Sequence, residues 1–141
     1  MAGQVHGLIA STSALTTVGG IMWYNDTNKV TNAGDTILGA GIANTDSIIL
    51  HQGQGNYAAS LCRAYNGGGY KDWYLPRQDD LFKLYLNQAV IGGFTGNFVG
   101  GYWSSTETSI STAFAGNFTA GIAIPNNVKF WQYLVRAVRT F

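Results

Sequence analysis

Trp73-Tyr74-Leu75-Pro76 and Tyr102-Trp103-Ser104-Ser105-Thr106-Glu107 are the two aromatic blocks on which the reading of this chain turns. Between them, residues 76–88 open with Pro76, carry Asp79 and Asp80 in the first turn, and space Leu81, Leu84, Tyr85 and Gln88 at helical intervals. That pattern predicts one amphipathic helix, with the two aspartates as a charge pair facing the positive end of its dipole. Indole rings bury large areas and fix the geometry around them, so Trp73 and Trp103 are assigned to the core before any site.

Upstream, residues 5–10 form a short apolar run closed by Ser11-Thr12-Ser13, a strand followed by a loop. Residues 20–24 make a second apolar patch, and residues 25–36 show no periodicity and read as an exposed excursion. Asn44-Thr45-Asp46-Ser47 supplies a capping signal for a helix over about 45–52, and Asn56 one for a helix over 57–65 with Ala58, Leu61, Cys62 and Tyr65 on one face. Gly67-Gly68-Gly69 stops that helix, and residues 91–101 are a glycine-rich connection anchored by Phe94 and Phe98. Downstream the pattern changes to short strands at 102–105, 112–118, 128–133 and 134–141. Alternation in the last run is imperfect, because Val135, Ala137 and Val138 mix with Arg136 and Arg139. Strand, helices, then clustered strands define an α+β class rather than a parallel α/β sheet, in one domain over residues 1–141.

Composition narrows the function. Charged residues are 11% of the chain against a typical quarter, aromatics reach 13%, and glycine supplies 19 positions. A net charge of +1 without a basic cluster offers no footprint for nucleic acid or an anionic membrane surface. Cys62 is alone, so no disulfide forms within the chain and a multi-cysteine metal site is excluded; it reads as a buried helix thiol. The opening residues lack a secretory leader's pattern, and no run approaches the roughly twenty apolar residues of a membrane span. A start so close to the first strand suits a module carried on a longer polypeptide or a partner.

The spelling of several separated blocks is specific. Asp72-Trp73-Tyr74-Leu75-Pro76, Asp80-Leu81 with Leu84-Tyr85 and Asn87, Ile91-Gly92-Gly93-Phe94, the Tyr102 to Glu107 block, Ala113, Phe118, Gly121 and Val135-Arg136-Ala137-Val138-Arg139 resemble the DUF1566 family. That family includes the C-terminal domain of the Legionella collagen-like adhesin and is similar to a branch of the C-type lectin fold. The resemblance runs from Gly7 to the end of the chain. It implies two main helices beside a small antiparallel sheet, with the first and last strands paired. It also implies binding: members sit at the ends of bacterial adhesins and phage tail proteins, and related folds serve as the variable proteins of diversity-generating retroelements. The location it implies is a virion or cell surface, as part of a larger assembly.

Calcium-dependent sugar binding needs several oxygen ligands around one hard cation, and the seven acids are mostly scattered, so no metal or other cofactor is assigned. Glu107, the sole glutamate, lacks a second carboxylate nearby for general acid and base work, so a hydrolase is the minor reading. Its structural reading is an ion pair with Arg136 or Arg139, or bonds to neighbouring backbone. Where the family resembled here is rich in asparagine and serine, this chain has Ile110, Phe114, Ile122, Ile124, Val128, Phe130 and Trp131. In diversity-generating systems, adenine-directed mutation of asparagine codons yields such residues. Phe118, Val128 and Tyr133 are assigned to the core. The expected binding face comprises Thr108, Ser109, Ile110, Ser111, Thr112, Ala115, Ile122, Ile124, Asn126, Asn127, Phe130, Trp131 and Gln132. Strand alternation would set adjacent Phe130 and Trp131 on opposite faces. The expected function is non-catalytic recognition of a protein or glycan receptor on a cell surface, and the alternative is homo-oligomerisation, as in a fibre-tip trimer, through the same apolar strip.

Overall fold

A computed structural model describes residues 7–16, 20–34, 41–94 and 101–141. The elements run β1 (Leu8–Ala10), α1 (Gly41–Gln52), α2 (Ala58–Ala64), α3 (Gln78–Leu86), α4 (Gln88–Ile91), β2 (Gly101–Glu107), β3 (Thr112–Asn117), β4 (Ile122–Val128) and β5 (Val138–Thr140), with a 3-10 turn at Gly67–Gly69. The strands form two antiparallel sheets, β1-β5 and β2-β3-β4, and the class is α+β. Pairing of the first and last strands, expected from the resemblance, is present: Ile9 faces Arg139 and Ala10 faces Val138. Backbone bonds from Ser11 to Ala137, Leu15 to Val135 and Ile21 to Tyr133 extend this zipper beyond the strands.

Two apolar clusters fill the interior, and the aromatic blocks stand between them. Trp73, Leu75, Trp103, Val135 and Ala137 face one cluster, with Trp23, Ile48 and Tyr57. Their neighbours Tyr74, Tyr102, Leu134 and Val138 face the other, with Leu81, Leu84 and Phe118. Successive side chains of an extended strand point to opposite faces, so a strand between two cores must be apolar on both. This explains the imperfect alternation near the carboxyl end. Each core indole also places its N–H: Trp23 donates to Ser104 O and Trp103 to Ile21 O, both at 2.8 Å, and Trp73 to Gly67 O at 3.1 Å.

Several expected boundaries shift for local reasons. α1 starts at Gly41, so Asn44 and Thr45 lie inside the helix and are buried rather than capping it. Thr45 Oγ1 donates to Gly41 O and accepts from Leu75 N, tying α1 to the first aromatic block. α2 is capped by Ser60, whose hydroxyl accepts from Tyr57 N, and not by Asn56. The helix expected over 76–88 is two pieces meeting at Asn87, whose side chain donates to Lys83 O at 2.8 Å. Asp80 is not a surface dipole charge: it is 3% exposed and forms a buried ion pair with Arg77 at 2.9 Å. The part of the expected 25–36 excursion that is described, residues 25–34, is anchored, since Thr31 and Ala33 are fully buried and Ala33 O accepts from Glu107 N. Phe94 packs on Tyr102 and Phe118, while Phe98 lies outside the described residues.

The strand expected over 128–133 is the largest revision. The strand is 122–128, and residues 129–131 turn away from it, with Trp131 N donating to Val128 O. Among the described residues β4 is an edge strand of its sheet, and it carries Pro125 together with an irregular register opposite β3 between Ala113 and Ala115. A proline and a bulge on an edge strand both discourage continued pairing.

Candidate functional site

The β3-β4 hairpin organises the surface. Thr112 pairs with Val128 at one end and Asn117 with Ile122 at the other. Residues 108–111 and 129–132 therefore leave the sheet side by side, joined by a bond from Lys129 N to Ser111 O at 3.0 Å. Residues 28–31 come to the same end, because Thr31 N donates to both oxygens of Glu107 at 3.0 Å. Three loops converge there on one buried ion pair.

Lys129 is fully buried. Its ammonium donates to Glu107 Oε2 at 2.7 Å, Ile110 O at 2.8 Å and Lys29 O at 3.1 Å, and lies 4.6 Å from the centre of the Trp23 ring. Burial pushes the lysine below its usual value, and the bond and charge of Glu107 oppose that shift. The Glu107 carboxylate also accepts from the Thr31 hydroxyl at 2.9 Å, so both of its oxygens are held by structural donors. Of the partners expected for Glu107, neither Arg136 nor Arg139 is used, while the backbone alternative is met by the Thr31 amide. Tyr102 bridges Leu134, which sets Arg136 near the start of β2, whereas Glu107 lies five residues further, about 16 Å along an extended strand. Arg136 donates to Ser11 O and Gly92 O and lies over the Phe94 ring. Arg139 pairs with Asp72 at 2.7 Å and stacks on Tyr70.

Above the ion pair the surface carries a cluster of exposed apolar side chains beside the exposed Lys29. Phe130 is 56% exposed and Trp131 54%, and their rings lie 6.1 Å apart at 22°. The two sit together because they occupy a turn, where strand alternation does not apply. Ile110 and Val30 are each about half exposed, and Thr108, Ser109 and Gln132 are exposed beside them. Thr112 shares its hydroxyl with Thr108 and Ser109, which stiffens the first loop, and Ser111 is half-buried within it.

The expected strip is thus not one patch. Ile122 lies at the far end of β4, about 20 Å from the 129–132 turn by strand rise, with Ile124 and Asn126 along the strand between. Ala115 and Asn127 do not belong to the surface. Ala115 is fully buried because β3 turns it into the Trp103 cluster. Asn127 is 6% exposed, its amide donating to Ile124 O and accepting from the Tyr133 hydroxyl. The core assignment of Phe118 holds, while Val128 and Tyr133 are half-buried. Lys129, Thr31 and Val30 were missed. A signal for Lys129 was present: it is the one cation between residues 108 and 135, and Glu107 is the one glutamate.

Among the described residues no group of three or more His, Cys, Asp or Glu is placed to hold a metal ion, and no helix is long and apolar enough to cross a membrane. No protein-family model and no curated protein matches the chain.

Proposed function

We propose that the protein is a non-catalytic recognition domain whose contact surface is the loop end formed by residues 28–31, 108–111 and 129–132. The observation that carries this reading is the exposed Phe130 and Trp131 pair, held on a turn whose root is the buried Lys129. Binding would work by desolvating a preorganised aromatic surface, with Thr108, Ser109 and Gln132 orienting the ligand through hydrogen bonds. A frame with paired termini and helices beside small antiparallel sheets supports assigning it to the C-type lectin type, similar to DUF1566. On that resemblance the proposed partner is a protein or glycan receptor on a cell surface, and the proposed setting a phage tail or bacterial adhesin, with the loop end diversified in the manner of retroelement variable proteins.

Trp131 gives a direct test. It is the one exposed tryptophan of the four: Trp23 and Trp103 are fully buried and Trp73 is 5% exposed. Labelled protein is applied to a glycan panel and to intact bacterial cells, and acrylamide quenching of Trp131 is read with and without the captured partner. Binding that shields Trp131 and falls at least about tenfold in both Trp131→Ala and Phe130→Ala is the expected result. Binding untouched by both substitutions sinks the reading. Light scattering that finds a tight oligomer with Trp131 already shielded would favour assembly instead.

A further inference from the structure

A second surface feature lies away from the loop end. α3 and the β3-β4 hairpin enclose a groove of about 180 Å³, walled by Leu81, Phe82, Tyr85, Phe114, Phe118 and Ile122. We infer that this groove binds a neutral small molecule built on a single aromatic ring and carrying one hydrogen-bond acceptor. The inference is independent of the loop-end reading.

Size sets the first limit. A cavity of about 150 Å³ lined by aliphatic and aromatic side chains holds one benzene ring, and this groove is slightly larger. The space exists because Gly116 has no side chain: a Cβ there would come within 3.2 Å of Leu81 Cδ2 and 3.6 Å of Phe118 Cε1. Edge-to-face packing is already used within this wall, with Tyr85 and Phe118 at 5.6 Å and 80°, and an added ring would extend it.

Charge sets the second limit. Among the described residues no ionised side chain lines the groove, so an anionic or cationic ligand would lose its hydration without a partner. Polarity sets the third. Gln78 and Asn117 stand at its border. Asn117 Oδ1 accepts from Thr119 N and Ala120 N at 3.0 Å, which fixes the amide so that Nδ2 remains as donor. Among the described residues nothing accepts from it. An apolar slot with a precisely placed polar donor is the usual form of a small-ligand site.

Phenol is the probe, being uncharged at neutral pH, with benzoate as its charged counterpart. Amide shifts of the full chain are followed by NMR during each titration. The expected result is a saturable response confined to Gln78, Tyr85, Gly116 and Asn117, with Kd on the order of 1 mM, as befits a fragment of a few heavy atoms. Benzoate should bind at least tenfold more weakly, and Gly116→Ala should weaken phenol at least tenfold. Phe82→Ala removes one wall at a residue 61% exposed, so the fold does not depend on it; a severalfold loss is expected even if Gly116→Ala fails to fold. Shifts that scatter without saturating, equal affinity for benzoate, or unchanged affinity in folded Phe82→Ala would overturn the inference. So would concentration-dependent shifts at Phe82, Leu86 and Val90 that phenol does not displace, since these would assign the groove to a second copy of the chain.

Discussion

Lys129→Met is the substitution that asks most of the loop-end geometry. Methionine keeps the length and the apolar stem but removes the ammonium. Three acceptors lose their donor at once: Glu107 Oε2, Ile110 O and Lys29 O. Glu107 then remains as a carboxylate with a side chain only 7% exposed, held by Thr31 alone. Removing one partner of a buried pair costs about 3–5 kcal/mol, because the other charge stays desolvated and unpaired. For a chain of this length each kcal/mol moves the melting midpoint by about 3 °C, so Tm should fall by about 10–15 °C. Glu107→Gln removes the stranded charge while leaving an oxygen that can still accept from Thr31 N. The double variant should therefore be more stable than the sum of the single losses predicts, by about 2 kcal/mol. Calorimetry on the four proteins of the cycle measures the coupling, and hydrogen exchange at the Thr31 and Lys129 amides localises it. Losses under about 1 kcal/mol, or effects that simply add, would show that the pair does not hold the three loops together.

Two further predictions concern groups away from that end. Burial pushes the Cys62 thiol far above its usual value, so a thiol reagent at neutral pH should react only as the chain unfolds, at the denaturant concentration where the far-ultraviolet signal is lost; rapid labelling of the native protein would contradict this. The Asp72 carboxyl is held below its ordinary 3.8 chiefly by its hydrogen bond from Arg139, against an opposing effect of burial. The unfolded chain then binds more protons between the folded value and 3.8, so this contribution to stability is complete above 3.8 and is lost as pH falls through the folded value. A carboxyl titration by NMR should place the Asp72 midpoint below 3.8 and return it toward that figure in Arg139→Gln.

The fold was legible where one pattern had one cause. Indole blocks at Trp73 and Trp103, the helical spacing of Leu81 and Leu84, and the turn at Gly121 all read directly from the chain. Boundaries failed where tertiary contact outweighed local chemistry. Asn44 and Thr45 look like a helix cap, yet Thr45 is needed inside α1 to hold the first aromatic block. Residues 128–133 look like a strand because they are apolar and aromatic, yet apolar composition is also what an exposed contact turn shows, and periodicity cannot separate the two in six residues.

The site was half legible for a related reason. Exposed Ile110, Phe130 and Trp131 stood out by contrast with the polar residues of the family resembled, but what makes them a unit is the ion pair below, which joins positions 29, 107, 110 and 129. No local spacing encodes such a contact. Its placement has a structural consequence: the loops are tied together by a charge pair buried beneath them and by backbone carbonyls, with the Thr108, Ser109 and Thr112 hydroxyls bracing the first loop, and not by the apolar side chains they present. Ile110, Phe130 and Trp131 can then change identity without altering the frame that carries them. The proposed recognition surface would need this separation in order to vary, whereas a surface specialised for one fixed partner can let its contact residues also hold its loops. Substituting Phe130 and Trp131 by unrelated residues should leave Tm nearly unchanged, in contrast to the large loss in Lys129→Met.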